Sequence, residues 1–166
     1  MSFWSDLSPS PRAGRLSAML TKKGKYGLKA AVFLAHQPEG KALQVAEIAD
    51  ANHIPKKFLD VILGEMRHAG FLLSRKGKSG GYRLARGADQ INVGALIRAL
   101  DGPLAPLPCV GSTDYQPCPD CDGPNCTIRL LMAKAYAAIR EVMDDCSLAD
   151  LRDISGDRLQ AFVDYI

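Results

Sequence analysis

The 166-residue sequence lacks any apolar stretch long enough to cross a membrane. Its longest uninterrupted apolar run covers residues 30–35, whereas a transmembrane helix needs about 20 such residues. The first eighteen residues also lack the apolar centre of a signal peptide. We therefore expect a cytoplasmic protein with no membrane partner. In that compartment thiols stay reduced, so clustered cysteines favour metals over disulfides.

Histidine is scarce, and the sequence has no internal repeat. His36, His53 and His68 are scattered through the first half of the chain, and we assign them no metal role. Apolar residues make up 47% of the sequence, which is enough for an ordinary core. The length fits one domain, or a small domain with a dimerisation arm.

Charge is distributed unevenly along the chain. Residues 12–86 contain fifteen Lys and Arg against five Asp and Glu, whereas residues 87–166 contain six against twelve. A basic half beside an acidic half is typical of a protein in which one half meets phosphates. A solvated charged surface would look the same from charge alone.

Four cysteines lie close together in a proline-rich stretch with the spacing C-x8-C-x2-C-x4-C, namely Cys109, Cys118, Cys121 and Cys126. Thiolates at this density, with little apolar sequence around them to bury, are typical of a metal or iron–sulfur site. The spacing does not separate an iron–sulfur cluster from tetrahedral zinc. The fifth cysteine, Cys146, falls on an apolar helical stripe and is predicted to pack in the core.

Apolar periodicity predicts a mainly α fold with a small β-hairpin wing: a winged helix-turn-helix followed by a long dimerisation helix. Residues 1–18 form a polar arm, either disordered or a start-site artefact, because residue 19 resembles a natural start. The DNA-binding domain is expected over residues 19–101, a cysteine-rich cluster-binding loop over 102–126, and the dimerisation helix with C-terminal helices over 127–166.

The second helix of the predicted helix-turn-helix carries the residues that would read DNA. Pro55 begins it, Phe58 and the apolar residues after it are expected to face inward, and its exposed first turns present Lys56, Lys57 and Asp60. Asp60 would be tolerated near phosphates mainly if it accepts a hydrogen bond from cytosine N4. A solvated or helix-start carboxylate is an equally good interpretation.

The wing is predicted between strands at residues 71–74 and 81–85. Its tip contains Lys76, Gly77, Lys78 and Ser79, which can bind phosphate or reach the minor groove, and glycines there allow close backbone approach. An ordinary glycine-rich hairpin with solubilising lysines is the alternative.

These features together resemble the Rrf-two (Rrf2) superfamily of winged-helix transcriptional regulators, which includes IscR, NsrR, RirA and CymR. The similarity covers roughly residues 19–150 and is carried by residues 20–27 (LTKKGKYG), 45–49 (VAEIA), 58–59 (FL), 69–72 (AGFL) and 76–82 (KGKSGGY). The resemblance implies a homodimer on a palindromic operator in double-stranded DNA. It places Lys57, Asp60, Lys76 and Gly77 where IscR-like members touch DNA.

The resemblance also bears on the metal ligands. Iron–sulfur members carry three cysteines in this region, matched by Cys109, Cys118 and Cys126, and IscR adds a histidine where this sequence has Arg129. Arginine offers no lone pair, and Lys25, near the position of an acidic ligand in NsrR-like members, cannot serve either. Cys121 is therefore the expected fourth ligand.

The sequence thus predicts a transcriptional regulator, not an enzyme, acting as a repressor through an iron–sulfur cluster (2Fe-2S or 4Fe-4S) that senses iron, redox state or a reactive small molecule. The alternatives are the same regulator with structural zinc or a metal-free thiol switch. Two further alternatives are a thiol-redox enzyme using Cys118 and Cys121, and an adaptor that does not bind DNA.

Overall fold

The computed structural model describes residues 20–77, 80–111, 115–119 and 125–154. The polar arm at 1–18, Lys78, Ser79, Cys121 and the end of the chain from residue 155 lie outside these ranges. Within them the elements are α1 (Lys22–Ala35), α2 (Val45–Asn52), α3 (Lys56–His68), β1 (Leu72–Arg75), β2 (Gly81–Leu84), a 3-10 turn (Ala88–Gln90), α4 (Val93–Asp101), α5 (Thr127–Asp144) and α6 (Leu148–Arg152).

Helix α1 begins at a cap formed with a residue far along the chain. Thr21 is the N-cap, and the carboxylate of Asp101, at the end of α4, accepts hydrogen bonds from the Thr21 nitrogen (2.8 Å) and hydroxyl (2.5 Å) and from the Gly24 nitrogen (3.1 Å). A carboxylate at a helix N-terminus pairs with unsatisfied N–H groups and the positive end of the helix dipole. A Cβ at residue 24 would lie 2.2 Å from the carboxylate oxygen, so glycine makes room for it.

We predict that Asp101→Ala lowers the free energy of unfolding by about 2 kcal/mol, because several charge-assisted hydrogen bonds are lost at a half-buried position. Urea unfolding followed by circular dichroism measures this change. Glu39→Ala, which removes an exposed loop carboxylate, is the control and should unfold like the parent. Equal midpoints for the two variants would contradict the capping role of Asp101.

Helices α2 and α3 form the predicted helix-turn-helix. A capping box between Gln44 and Glu47 starts α2, and His53 ends it in the left-handed conformation with φ 53°. Helix α3 buries four apolar residues against α1, α2 and α4: Leu59, Ile62, Leu63 and Met66. Pro55 proves to be the N-cap of α3, so its first helical residue is Lys56.

The prediction that Phe58 faces inward is wrong. Its side chain is 65% exposed. Helical residues turn by about 100° each, so Phe58 lies roughly 90° from the centre of the face formed by the four buried residues. The three- and four-residue spacing predicts that Phe58 belongs to the buried stripe. The packing of the neighbouring helices, which the spacing does not reveal, leaves its side chain exposed.

The wing is an antiparallel hairpin in which Leu72 pairs with Leu84 and Arg75 with Gly81. It is fastened to the start of α2, because the Tyr82 nitrogen donates to the Leu43 oxygen (2.8 Å) and the Leu43 nitrogen to the Tyr82 oxygen (3.0 Å). Gly81, with φ 145°, permits this approach, since a Cβ there would lie 2.1 Å from the Leu43 oxygen. The wing and the helix-turn-helix are therefore positioned as one unit.

The last short helix, α6, packs against the core that is built on α1 to α4. Ser147 and Asp150 form a capping box at the start of α6. The Leu148 side chain is fully buried within the core built on α1 to α4, and its nitrogen donates to the Ile91 oxygen (2.8 Å). Helix α6 accordingly packs on α1 and the 3-10 turn.

The long helix α5 contacts the rest of the described chain mainly at α4. Arg98 pairs with the Asp144 carboxylate (2.6 Å), and the Asn92 amide donates to the Asp144 carbonyl. Gly94 lets the helices approach, since a Cβ there would lie 2.3 Å from an Asp144 carboxylate oxygen. Most of α5 is uncovered: only Tyr136 is buried, and Ile128, Leu131 and Val142 are more than 60% exposed.

No helix in the described part of the chain combines the length and apolar character needed to span a membrane.

Candidate nucleic-acid interface and cysteine site

The start of α3 and the wing face each other across an open groove of about 340 Å³. Lys56 and Asp60 line one side, and the wing glycines Gly77, Gly80 and Gly81 line the other, with the beginning of α2 at the base. Three of the residues predicted to contact DNA, namely Lys56, Asp60 and Gly77, therefore lie around one groove.

Further predicted cations flank this groove. Lys57 is exposed in the first turn of α3, and Lys76 is exposed at the base of the wing tip. Gly77 has φ 109°, a conformation that L side chains rarely adopt. The remaining predicted wing residues, Lys78 and Ser79, lie outside the described residues. Exposed lysines thus lie both at the start of α3 and at the wing, next to residues that line the groove.

Asp60 is exposed and makes no hydrogen bond or ion pair with the described residues. It is the fifth residue of α3, beyond the first turn in which the helix dipole stabilises a carboxylate. The helix-start interpretation of Asp60 is therefore weaker than the sequence suggested, and its carboxylate oxygens are available as hydrogen-bond acceptors.

Two of the predicted ligand cysteines are close neighbours. Cys109 is buried, with 4% of its surface exposed, and Cys118 is half-buried. The neighbouring Cys118 thiol, burial and then the charge of Cys126 raise the pKa of the Cys109 thiol. No disulfide joins the described cysteines. Cys118 and Cys126 both influence Cys109, and sulfur donors of this kind suit iron–sulfur or zinc chemistry.

Arg129 secures this neighbourhood to α5. Its Nε donates to the Cys109 carbonyl oxygen (3.0 Å), and its guanidinium lies over the Tyr115 ring at 5.7 Å from the ring centre. Cys126 is the N-cap residue of α5. The cysteine loop, residues 102–126, is therefore joined to the long helix both through the chain and through the Arg129 side chain.

Among the described residues, no three His, Cys, Asp or Glu side chains stand close enough together to hold a metal ion. The predicted fourth ligand, Cys121, lies outside those residues. Cys146 packs beside Val93, Ile97 and Tyr136 in the second apolar cluster, as predicted, and burial raises the pKa of its thiol.

Comparison with known proteins agrees with this architecture. The family model described as "Rrf2: Iron-dependent Transcriptional regulator" matches residues 20–153. The chain belongs to the Rrf2 family. It is 40% identical over 137 residues to an rrf2-like helix-turn-helix transcriptional regulator of Rhodobacter capsulatus, which covers 80% of this chain and 91% of the relative.

Solved Rrf2 structures share the fold. CymR, the global cysteine regulator of B. subtilis, superposes with a TM-score of 0.69 at 29% identity, covering 82% of this chain and 97% of CymR. IscR of T. potens gives a TM-score of 0.63 at 28% identity, covering 83% and 88%. These likenesses confirm the predicted winged-helix fold.

As an Rrf2 protein, the chain is a DNA-binding transcriptional regulator that forms dimers, and it is not an enzyme. The two rivals that lack DNA binding, a thiol-redox enzyme and an adaptor, are thereby set aside. Sequence patterns did not predict the roles of Asp101 and Arg98, because their partners lie 80 and 46 residues away in the chain. No local pattern marks either residue.

Proposed function

We propose that this Rrf2 protein is a homodimeric repressor that binds a palindromic operator and senses through an iron–sulfur cluster, either 2Fe-2S or 4Fe-4S. The proposed cluster ligands are Cys109, Cys118, Cys121 and Cys126. The observation that carries the proposal is that Cys118 and Cys126 both lie near enough to influence the Cys109 thiol, with Cys126 at the point where the cysteine loop joins α5. When bound, a cluster would supply iron chemistry that answers to iron supply, redox state or reactive small molecules.

The DNA contacts are proposed to come from α3 and the wing. Lys56, Lys57 and Asp60 enter or border the major groove, because recognition helices present their first turns to base edges. The wing residues Lys76, Gly77, Lys78 and Ser79 bind backbone phosphate. These residues belong to the DNA-binding domain that we propose for residues 19–101.

Two contacts of α5 connect the cysteine loop to the DNA-binding domain. Arg129 holds the Cys109 segment on α5, and Asp144 at the other end of α5 is paired with Arg98 of α4. A change in how residues 102–126 pack on α5 therefore changes how α5 sits against the DNA-binding domain. The two recognition helices of a dimer must match half-sites about one helical turn apart, so their spacing is the proposed output.

Anaerobic purification with an absorbance spectrum and analysis of iron, sulfide and zinc tests this proposal. We expect visible absorbance with iron and sulfide in comparable amounts. Stoichiometric zinc without sulfide would replace the cluster with a structural zinc site. Reduced cysteines without any metal would favour the second candidate, a metal-free thiol switch, which the influence of Cys118 on the nearby Cys109 thiol also suits.

Removing one wing cation should weaken binding to all sequences alike. We expect Lys76→Ala to lower affinity for specific and random duplexes by similar factors and to reduce the salt slope by about one, because one phosphate contact is lost. Titrations across salt concentrations measure both quantities. Arg152→Ala, on α6 and paired with Asp153 outside the groove between α3 and the wing tip, is the charge-matched control. If the salt dependence of binding is unchanged in Lys76→Ala, the wing does not contact the DNA phosphates.

Removing the recognition-helix carboxylate should alter base preference instead. Asp60→Ala is expected to lose discrimination for one cytosine per half-site, worth about 1–3 kcal/mol at that base pair. Its affinity for random DNA should rise slightly, since a negative charge near phosphate is removed. Selection of sites from a random duplex pool with both proteins measures the preference. If the parent and Asp60→Ala select identical sequences, Asp60 contacts no base and is a solvated carboxylate.

A further inference from the structure

Helix α3 exposes two large apolar side chains that its packing does not use. Phe58 is 65% exposed and Val61 is 61% exposed. They are three residues apart, so they are neighbours on one side of the helix. The other exposed side chains of these first two turns are Lys56, Lys57 and Asp60, which makes Phe58 and Val61 a small apolar patch inside a charged surface.

The position of this patch indicates what covers it. The face of α3 that packs on the core includes neither side chain, and the large apolar surface available to a second copy of the chain is on α5. Around the helix, Val61 lies between Phe58 and Lys57, and Lys56 and Asp60 beyond Lys57 line the groove between α3 and the wing. The two lysines beside this surface complement the phosphates of DNA.

Base edges in the major groove carry one apolar group, the 5-methyl of thymine. From the exposed apolar patch we infer that Phe58 and Val61 bind thymine methyl groups and thereby contribute to operator selection. The inference rests on the proposed placement of α3 in the major groove, and it adds a chemical class of base contact to that placement.

Helix geometry sets which base pairs are read. Phe58 and Val61 are separated by about 4.5 Å along the helix axis and by about 60° around it, while Asp60 lies about 100° from Val61 on the other side. Val61 is therefore central, between Asp60 and Phe58. Successive bases on a strand are about 3.4 Å apart, so the three side chains reach neighbouring base pairs, with thymine expected next to the base that Asp60 contacts.

Replacing thymine with deoxyuridine tests the inference, because this change removes only the methyl group. A duplex site is first selected from a randomised pool with the full chain, and its thymines are then replaced one at a time in both half-sites. At fixed salt, the parent should lose about fourfold in affinity for each methyl that is contacted, the factor corresponding to one buried methyl group. Substitutions at thymines outside the contacted base pairs should have no effect.

Protein variants assign each methyl to its side chain. Val61→Ala should abolish the penalty at one thymine position and Phe58→Ala at an adjacent one, whereas Val61→Thr, which keeps one methyl and the shape, should retain part of it. Ile154→Ala, which truncates an exposed apolar residue after α6, is the control and should show the full penalties of the parent.

Two results overturn the inference while leaving the proposed function intact: no deoxyuridine substitution weakens binding by the parent, or the penalties persist unchanged in both alanine variants. Altered dimerisation of Phe58→Ala or Val61→Ala in sedimentation, with operator binding preserved, would also overturn it by assigning the patch to protein contact. If the parent selects no site at all, the proposed placement of α3 fails and this inference fails with it.

Discussion

Serine in place of Cys118 should reduce the iron and sulfide content of anaerobically prepared protein to near zero. The Cys118 thiol lies close to Cys109, which Cys126 also influences, so its loss removes one donor of the proposed site. A serine oxygen is a hard ligand and a poor substitute for thiolate on iron. Iron and sulfide per protomer are the quantities to measure, together with the visible absorbance spectrum.

The other cysteines supply the controls for this experiment. Cys121→Ser should be as severe as Cys118→Ser if Cys121 is the fourth ligand. Cys146→Ser should keep the parent's iron and sulfide, because Cys146 packs in the second apolar cluster. Full occupancy in Cys121→Ser would reassign the fourth ligand to water, a small thiol or an acid such as Asp122. Full occupancy in Cys118→Ser would contradict the proposed site.

Alanine in place of Gly81 should destabilise the protein by at least about 3 kcal/mol, from an unfavourable φ and from steric overlap. Its Cβ would lie 2.1 Å from the backbone oxygen of Leu43, and a backbone atom that is hydrogen-bonded to Tyr82 cannot easily move. The wing would shift away from α2 and α3, so operator affinity should fall by about tenfold or more at temperatures where the variant is folded.

Gly70→Ala is the matched control for Gly81→Ala. Gly70 also has a positive φ, but a Cβ there would meet nothing within 4 Å, so only the conformational cost applies. Urea unfolding and DNA titration of both variants separate strain from overlap. Equal losses in the two variants would show that the link between the wing and Leu43 does not matter.

Local signals in the sequence predicted the elements well. The apolar spacing of α3 and the strand pattern of the wing each depend on residues a few positions apart. What escaped prediction depends on distant partners. Asp101 caps α1 across 80 residues, and Leu148 completes the first core although its helix follows α5.

The candidate site likewise contains features that short segments predict and features that depend on contacts between distant segments. Residue type and spacing selected the cysteines and the cations at the start of α3, because those are properties of short segments. The proximity of Cys118 to Cys109 depends on the path of the loop, and the link from Arg129 to Cys109 depends on how α5 begins. The exposure of Phe58 depends on which helices pack against α3, which periodicity does not encode.

Because most of α5 is exposed in a single chain, we expect the stability of the protein to depend on its concentration. With only Tyr136 buried in one chain, we expect α5 to be the dimerisation helix and to gain most of its apolar burial from a second copy, so that folding of this helix and association would share one free energy. By mass action, dilution would shift the population toward single chains and lower the melting temperature. A newly synthesised regulator would then reach its DNA-competent form only above a threshold concentration, and its own abundance would act as an input alongside any chemical signal.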